Sequence, residues 1–131
     1  MLDVAKQAGR FSWNELLTSD VAAAKQFYSE LFGWQMEDMA CGGMDYTTLK
    51  INGDEIGGIM KTPKEAGAMP PTWGGYVTVD DVDASVEKVK TLGGKVCLPP
   101  QDIPDVGRFC VIQDPQGAML SLIAYDIKEK G

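Results

Sequence analysis

Polar and apolar residues alternate over residues 11–18 and then recur at helical spacing as far as Gly33. The alternation predicts a strand with Trp13, Glu15 and Leu17 on one face. Ser19 or Asp20 can cap the helix that follows, because either side chain can accept a hydrogen bond from a free amide of the first turn. The helix is predicted from a stripe of apolar residues at three- and four-residue steps: Val21, Ala24, Phe27, Tyr28, Leu31 and Phe32.

Three more strands are predicted between the first helix and residue 61. They are "WQMEDM", "DYTTLKI" and "EIGGIMK", and the last two flank Asn52-Gly53, a strong signal for a β-hairpin. Residues 10–61 therefore form a first β-α-β-β-β module. The segment 62–72, "TPKEAGAMPPT", has no hydrophobic period and is predicted to be a linker.

The same order of elements returns in a second module, residues 73–126. "WGGYVTV" is a predicted strand, Asp80 or Asp81 caps a helix, and "KVCL", "RFCVIQ" and "AMLSLIAYD" are predicted strands, with a loop from Pro99 to Gly107. At a constant offset of 61 residues the helix caps, stripes and ends coincide: Asp20 with Asp81, Val21 with Val82, Leu31 with Leu92 and Gly33 with Gly94. This agreement predicts one unit used twice.

Length and charge limit the functions that the chain can have. A chain of 131 residues, 44% of them hydrophobic, is long enough for a globular core. The net charge of −7 disfavours nucleic acid and anionic membranes as partners, because phosphate binding needs clustered Lys and Arg. No apolar run is long enough to span a bilayer, and the first ten residues do not have the pattern of a secretion signal. Cys41, Cys97 and Cys110 form no CxxC pair, which is typical of reduced thiols in a cytoplasmic protein.

The chain contains no histidine. This removes the commonest general base near neutral pH, the commonest transition-metal ligand and every Ser-His or Cys-His nucleophile pair. Catalysis, if present, must depend on carboxylates, Tyr, Lys, Cys or an external cofactor.

The segments "TSDVAAAKQFYSELFGW", "VDDVDASVEKVKTLGGKV" and "IQDPQGAMLSLI" resemble the vicinal oxygen chelate superfamily, which is the glyoxalase, bleomycin-resistance and dioxygenase group. The resemblance covers residues 10–126 and implies an α+β fold. In that fold two tandem β-α-β-β-β modules form curved mixed sheets around an open cup. The superfamily includes isomerases, dioxygenases, thiol transferases and drug-sequestering proteins, so the fold alone does not decide the function.

Enzymes of that superfamily hold a divalent metal through His or Glu on the first and last strands of each module. Transferred to this chain, those positions are Trp13, Gly57, Gly74 and Ser121, and Gly57 is placed to within about one residue because the turns differ. None of these side chains is a usual ligand for zinc, iron or nickel. The resemblance therefore predicts a member without a metal and with no cofactor of its own.

Strand alternation predicts what the cup contains instead. The residues in phase with the ligand positions include Trp13, Glu15, Tyr76, Ser121, Glu55 and Ile59, whereas Leu16, Val77, Val79, Leu120 and Leu122 are predicted to pack under the helices. Trp13 could stack on a planar or cationic ligand, and Tyr76 and Ser121 could donate hydrogen bonds. Gly57 and Gly74 would give the ligand room. The predicted ligand-binding residues are thus Trp13, Glu15, Gly57, Gly74, Tyr76 and Ser121.

Several functions remain open at this point. The preferred hypothesis is a metal-free protein that binds a small, partly aromatic or cationic molecule in the cup. The alternative is a glyoxalase-like enzyme, a lyase, an isomerase or a hydroxylase-type accessory, with Glu15 as its acid or base. A third hypothesis is a structural or regulatory dimer with an empty cup. Because many members of the superfamily are homodimers, the resemblance also implies a homodimer. The plainer explanations are that Trp13 only fills space and that Glu15 pairs with a cation such as Arg108.

Overall fold

Over the residues that the structure describes, the chain divides into two compact units, each with one helix and four strands. The structure is a computed structural model that describes residues 7–41, 44–64, 69–103 and 106–125. Unit one spans Trp13–Gly74, and unit two takes the chain from Gly75 onward together with the N-terminal segment as far as Ser12. No helix in the described part of the chain combines the length and the apolar character that crossing a bilayer requires.

Unit one contains the predicted β-α-β-β-β order. Its elements are β1 (Phe11–Thr18), α1 (Val21–Phe32), β2 (Gln35–Cys41), β3 (Met44–Ile51) and β4 (Asp54–Lys61). The strands lie in the order β2-β3-β4-β1, with β1 parallel to β4 and the other pairs antiparallel. The parallel pair is possible because α1 and the two middle strands carry the chain from β1 round to β4.

The turns of unit one follow from local chemistry. The Asp20 side chain caps α1 by accepting a 3.0 Å hydrogen bond from the amide of Ala23. Asn52 and Gly53 both have positive φ, at 49° and 86°, and they join Ile51 to its strand partner Asp54 in a two-residue hairpin. Such a hairpin needs two left-handed residues, which Asn and Gly adopt most readily.

The core of unit one is small and tightly packed. Leu16, Leu49 and Ile59 are buried together, and Val21, Ala24 and Tyr28 of α1 are among the residues that pack on them. The prediction that Ile59 lies on the open face with Trp13 is wrong. A bulge opposite Leu49 and Lys50 adds one residue to β4, so Glu55 pairs with Lys50 whereas Gly57 and Ile59 pair with Leu49 and Thr47. Because strand faces alternate, that one residue turns Ile59 into the core.

The apolar stripe predicted for α1 is only half used within unit one. Val21, Ala24 and Tyr28 face the sheet, but Phe27, Leu31 and Phe32 are 58%, 57% and 56% exposed. The stripe is too wide for one helix face to bury against this sheet.

Unit two repeats the order of elements. They are β5 (Thr72–Thr78, whose first three residues group with unit one), α2 (Val82–Thr91), β6 (Lys95–Ile103), β7 (Gly107–Gln113) and β8 (Met119–Tyr125). The strands lie in the order β5-β8-β7-β6, and β5 is parallel to β8. The α+β class and the two β-α-β-β-β repeats predicted from the sequence are therefore confirmed.

An N-terminal segment belongs to unit two. The Gly9 amide donates to the Thr78 carbonyl at 2.8 Å, and the Thr78 amide donates to the Arg10 carbonyl at 2.9 Å. The hydroxyls of Ser12 and Tyr125 lie 2.9 Å apart. The chain thus contributes residues to unit two before and after it builds unit one.

The helix side of unit two is buried as predicted. Val82, Val86, Cys110 and Leu122 form its core, with Val77, Val79 and Leu120 among the residues packed around them. The predicted loop from Pro99 to Gly107 is wrong, because β6 continues through both prolines to Ile103. A strand at the edge of a sheet tolerates proline, and the register of β6 shifts between Leu98 and Gln101, where the prolines lie.

In each unit an ion pair joins the helix to the sheet, and in unit two the same arginine also pairs with a neighbouring strand. In unit one, Lys25 Nζ lies 2.7 Å from Asp38 Oδ1, which also accepts a 2.8 Å bond from Thr47. In unit two, Arg108 Nε lies 2.8 Å from Asp83 Oδ2, and Arg108 Nη1 lies 2.9 Å from Asp102 Oδ1. The hydrogen bond from Lys25 lowers the pKa of Asp38, and the one from Arg108 lowers the pKa of Asp83.

The lowered pKa values of Asp38 and Asp83 predict how the free energy of unfolding depends on pH. Each has a lower pKa in the folded chain than in the unfolded one, so its contribution is present above about pH 4 and is lost as pH falls through the folded pKa. We expect urea unfolding midpoints to decrease below about pH 4, modestly, since both groups are exposed and screened. Asp83→Asn should flatten that decrease, because it removes one of the two carboxylates whose pKa is lowered. An unchanged slope in Asp83→Asn would contradict the assignment.

Candidate functional site

A chain of three hydrogen-bonded side chains lies on the sheet of unit one. The indole Nε1–H of Trp13 donates to the hydroxyl of Tyr46 at 2.9 Å, and that hydroxyl donates to Oε2 of Glu15 at 2.8 Å. All three residues are half-buried. Tyr46 thus fixes the indole ring and the carboxylate relative to one another, and the three are called the Trp13–Tyr46–Glu15 triad below.

Sheet register explains why the triad forms. Gly58 pairs with Glu15 on β1 and with Thr48 on β3, so all three positions face the same side. Tyr46 precedes Thr48 by two residues and shares that face. A Cβ atom at Gly58 would stand 2.0 Å from the Tyr46 hydroxyl oxygen and 2.2 Å from Cζ. The phenol ring therefore lies directly on the glycine backbone, and only glycine allows this approach.

The two other predicted glycines of unit one have different positions. A Cβ atom at Gly57 would meet the Asn14 carbonyl oxygen at 2.6 Å and the Leu49 side chain at 3.6 Å, so Gly57 points away from the triad. Gly58 takes the position that the sequence assigned to Gly57. Gly74 is exposed, and a Cβ atom there would meet nothing within 4 Å.

The other polar groups on this face are already engaged with one another. Lys50 forms an ion pair with Glu37, and its hydrogen bond to Glu37 raises the pKa of Lys50. Thr48 is buried and donates to the Met39 sulfur at 3.0 Å. Lys50 thus balances Glu37, and Glu15 places a carboxylate on this face beside the indole of Trp13.

The predicted residues Tyr76 and Ser121 lie in unit two, where they are direct strand partners. Tyr76 is buried, and its ring centroid is 6.3 Å from that of Phe109. The structure therefore groups the predicted site residues as Trp13 and Glu15 in one unit and Tyr76 and Ser121 in the other. Arg108, considered from the sequence as a partner of Glu15, binds Asp83 and Asp102 instead.

The residues at the superfamily's metal positions do not fit a divalent metal. Trp13, Gly58, Gly74 and Ser121 offer neither an imidazole nor a carboxylate. Within the described ranges, no three His, Cys, Asp or Glu side chains come together in a way that could hold an ion. The chemistry of this donor set gives no step that passes through a metal.

A groove of about 640 Å³ opens at the N-terminal end of α1 in unit one, and its lining includes Tyr46 but neither Trp13 nor Glu15. Its volume is within the range of small-molecule sites. Its lining includes two cations, Lys25 and Lys61, and two carboxylates, Asp38 and Asp45. Lys25 and Asp38 form an ion pair. The groove has no single charge preference, so we place the candidate site at the triad.

Sequence reasoning missed Tyr46 and Gly58, the two residues that assemble the triad. Alternation along "DYTTLKI" groups Tyr46 with Thr48 and Lys50, but it does not tell which face of the sheet they occupy. The pair Gly57-Gly58 was the available signal, because adjacent glycines in a strand mark a close approach. Which of the two glycines receives the ring depends on the bulge near Leu49.

Comparison with known proteins identifies relatives for almost the whole chain. It is 44% identical to a putative glyoxylase, CFP32, of Mycobacterium tuberculosis over 117 residues, which cover 87% of this chain and 45% of that protein. It is 34% identical to the anthracycline biosynthesis protein DnrV of Streptomyces peucetius, covering 92% of this chain and 49% of that protein. The chain thus spans about half the length of these curated relatives.

A solved structure agrees with the fold. Methylmalonyl-CoA epimerase from Mycobacterium tuberculosis superposes with a TM-score of 0.61 at 17% identity, over 94% of this chain and 91% of the epimerase. At that identity the likeness concerns the fold alone. Residues 10–122 match the family model described as Glyoxalase/Bleomycin resistance protein/Dioxygenase superfamily. This match covers both β-α-β-β-β units, and the chain belongs to that superfamily.

Proposed function

We propose that this chain binds a small, planar, partly aromatic or cationic molecule at the Trp13–Tyr46–Glu15 triad, without a metal or cofactor held by its own residues. The observation that carries the proposal is the pair of hydrogen bonds through Tyr46. They hold an aromatic ring and a carboxylate side by side on one sheet face. A cytoplasmic location and the absence of nucleic-acid and membrane partners stay predictions from composition.

The triad offers a planar cation two kinds of attraction. The indole can stack on a flat ring or attract a cation through its π face, which contributes about 0.5–2 kcal/mol. The Glu15 carboxylate can accept a charge-assisted hydrogen bond, which contributes about 1.5–3 kcal/mol. Because Tyr46 holds both groups in place, little side-chain entropy is lost when a ligand binds. Stacking on the indole and hydrogen bonding to Glu15 do not require any bond of the ligand to break. They therefore support a binding function rather than catalysis.

The relatives support the same class of ligand. One of them is named for anthracycline biosynthesis. Anthracyclines are flat, multi-ring aromatic molecules with an amino sugar, so they combine the two features that an indole and a carboxylate recognise. We take daunorubicin, an anthracycline, as the first probe for this reason.

Binding is tested by calorimetric titration with daunorubicin. We expect one molecule bound per chain and the ligand recovered unchanged by chromatography. Glu15→Gln should weaken binding about 10- to 100-fold, because it removes the charge but retains the shape. Trp13→Leu should weaken binding several-fold through lost stacking. The matched control is Glu87→Gln, an exposed carboxylate on α2 of unit two, which should bind as the wild type does. Equal affinity in Glu15→Gln and wild type would reject the triad as the site.

The second candidate function is a metal-free isomerase or lyase with Glu15 as its acid or base. It is favoured by a specific observation: Glu15 is held by Tyr46 with one oxygen in a defined position, as a proton-transfer group requires. Solved epimerases share the fold, although at low identity. A third candidate, a structural or regulatory dimer without a ligand, would leave the triad without a role.

Isotope exchange separates the enzyme from the binding protein. The first probe is methylmalonyl-CoA, whose α-proton is acidic, incubated with the protein in D₂O. An enzyme would incorporate deuterium at the α-carbon, and Glu15→Gln would abolish the incorporation. Absence of exchange, together with daunorubicin binding, would support the binding protein. Exchange that persists in Glu15→Gln would contradict the role of Glu15 as the base.

A further inference from the structure

We propose that the groove at the N-terminal end of α1 binds a zwitterion of the amino-acid class, at a site separate from the triad. The carboxylate of the ligand pairs with Lys61 and its ammonium pairs with Asp45, and both of these residues line the groove. The groove lies wholly within unit one. This proposal goes beyond the function proposed above and does not depend on a ligand at the triad.

The charged residues of the groove are not all engaged. Lys25 and Asp38 form an ion pair, and Asp38 also accepts the hydrogen bond from Thr47, so these two charges are satisfied within the fold. Lys61 and Asp45 are both exposed. Over the described ranges, neither of them forms an ion pair. One cation and one carboxylate thus remain available in the groove, and together they complement a molecule that carries both charges.

Strand register brings these two residues to the same side of the sheet. On β4, Lys61 follows the core residue Ile59 by two positions, and on β3, Asp45 precedes Thr47 by two positions. Thr47 and Ile59 are strand partners, and Ile59 lies under α1, so Asp45 and Lys61 share the helix side. Opposite charges on neighbouring strands can pair directly. These two do not pair with each other, and both line the groove instead.

The internal repeat supplies a comparison within the same chain. The last strands of the two units can be aligned on their core residues Ile59 and Leu122, because the β1 partner of Ile59 and the β5 partner of Leu122 differ by the same offset of 61 that relates the helices. The strands β3 and β7 are then aligned on the partners of these two residues, Thr47 and Cys110. The groove residues of β3 and β4 thereby have defined equivalents in unit two.

Unit two bridges the equivalent space with its own side chains. On this alignment three positions change their character from unit one to unit two: Ala22 to Asp83, Asp45 to Arg108 and Lys61 to Ala124. Arg108 donates to both oxygens of Asp83, at 2.8 Å from Nε and 3.1 Å from Nη2. In unit one the first turn of α1 has no acidic residue, and Ala22 ends at its Cβ atom. The space is therefore open to a ligand in unit one.

A zwitterion supplies both of the groups that unit two holds in its chain. Its carboxylate lies beside the first turn of α1, as Asp83 lies in the first turn of α2, and it pairs with Lys61. Its ammonium pairs with the carboxylate of Asp45. The remaining lining includes the apolar residues Val21 and Met39, which favour an aliphatic side chain on the ligand. L-Leucine combines these features and is the first probe.

The test is an NMR titration of the isotope-labelled chain with L-leucine. We expect a dissociation constant on the order of 1 mM, because both ion pairs are exposed to water and screened. The amide signals of the groove residues should shift, and those of unit two should not. Two analogues each lack one charge: 4-methylpentanoate has no ammonium and L-leucinamide has no carboxylate. At about pH 6, where the amine of L-leucinamide is protonated, each analogue should bind at least about 10-fold more weakly.

Ala22→Asp is the decisive variant, because it gives α1 the carboxylate that α2 carries at the equivalent position. The new side chain should pair with Lys61 in the place of the ligand, and an acidic residue is favourable in the first turn of a helix. Binding of L-leucine should weaken at least about 10-fold. The matched control is Ala23→Asp, which adds the same charge to the same turn at an exposed residue that does not line the groove. It should change the dissociation constant less than about threefold.

Lys61→Met and Asp45→Asn remove the two charges separately, and each should weaken L-leucine binding at least about 10-fold. Urea unfolding verifies that every variant is folded. The proposal is overturned if L-leucine shifts no amide signal of the groove, or if either analogue binds as tightly as L-leucine. Equal weakening by Ala22→Asp and Ala23→Asp would also overturn it, since negative charge on the helix would then be enough to explain the effect.

Discussion

Gly58→Ala is expected to reduce the free energy of unfolding by about 2–4 kcal/mol. The new methyl group would stand 2.0–2.4 Å from three atoms of the Tyr46 phenol, so the ring must leave the backbone. Forcing extra volume into a packed site costs about 1–3 kcal/mol, and displacing the ring also breaks the hydrogen bonds to Trp13 and Glu15. Urea unfolding measures the loss, and daunorubicin affinity should decrease with it, since Tyr46 orients both binding groups.

Two comparisons make this expectation specific. Gly74→Ala is the matched control, because a Cβ atom there meets nothing within 4 Å, and we expect a change within about 0.5 kcal/mol. The second comparison repeats Gly58→Ala in a Tyr46→Ala background, where the methyl group has space. Its cost should then be below about 1 kcal/mol. An equal cost in both backgrounds would mean that the clash with Tyr46 is not the cause.

Ile59→Ala should reduce the free energy of unfolding at least as much as Gly58→Ala does, by about 2–5 kcal/mol. Ile59 is 0% exposed and is packed with Leu16 and Leu49 under α1. Removing three of its carbon atoms loses their transfer free energy and leaves a cavity in a core with few other residues to fill it. Urea unfolding should show a lower midpoint with an unchanged slope, as expected when the native state remains compact.

This second variant also tests the strand register. Ile51→Ala removes the same atoms from a side chain that is 45% exposed, and it should cost well under 1 kcal/mol. Had β4 continued without its bulge, Ile59 would face the same side as Trp13 and Glu15, and the two variants would differ little. Similar losses in Ile59→Ala and Ile51→Ala would therefore contradict the observed pairing.

The order of elements could be predicted from the sequence because each signal is local. Asp20 caps α1 through an amide three residues away, and Asn52-Gly53 sets its hairpin by its own backbone preference. Errors arose where the outcome depends on a partner strand. The course of β6 through Pro99 depends on its place at the sheet edge, and the face occupied by Ile59 depends on a bulge opposite Leu49. Periodicity within one strand carries no information on either.

In the candidate site, too, residues with a local signal could be predicted, and a residue placed by strand pairing could not. Trp13 was identified from the ligand position that the superfamily resemblance implies, and Glu15 from alternation in phase with it along the same strand. Tyr46 was not identified, because its approach to them requires the pairing of β3 with β4 and of β4 with β1. The α1 stripe is a further case: Val21, Phe27 and Leu31 share a helical period, but periodicity cannot tell which of them pack on the sheet and which stay exposed.

The N-terminal segment that pairs with Thr78 also sets an order of events during synthesis on the ribosome. Arg10 emerges first, but its strand partner is made only after the whole of unit one. Unit one has all of its strands once β4 is complete, so it can fold while the rest is still being translated. Unit two must wait for both of its separated pieces, and closing that long loop makes it the later and slower of the two to form. Nascent chains stopped when residue 74 has just left the ribosomal exit tunnel should therefore carry a folded first unit and an N-terminal segment that has not yet found its partner.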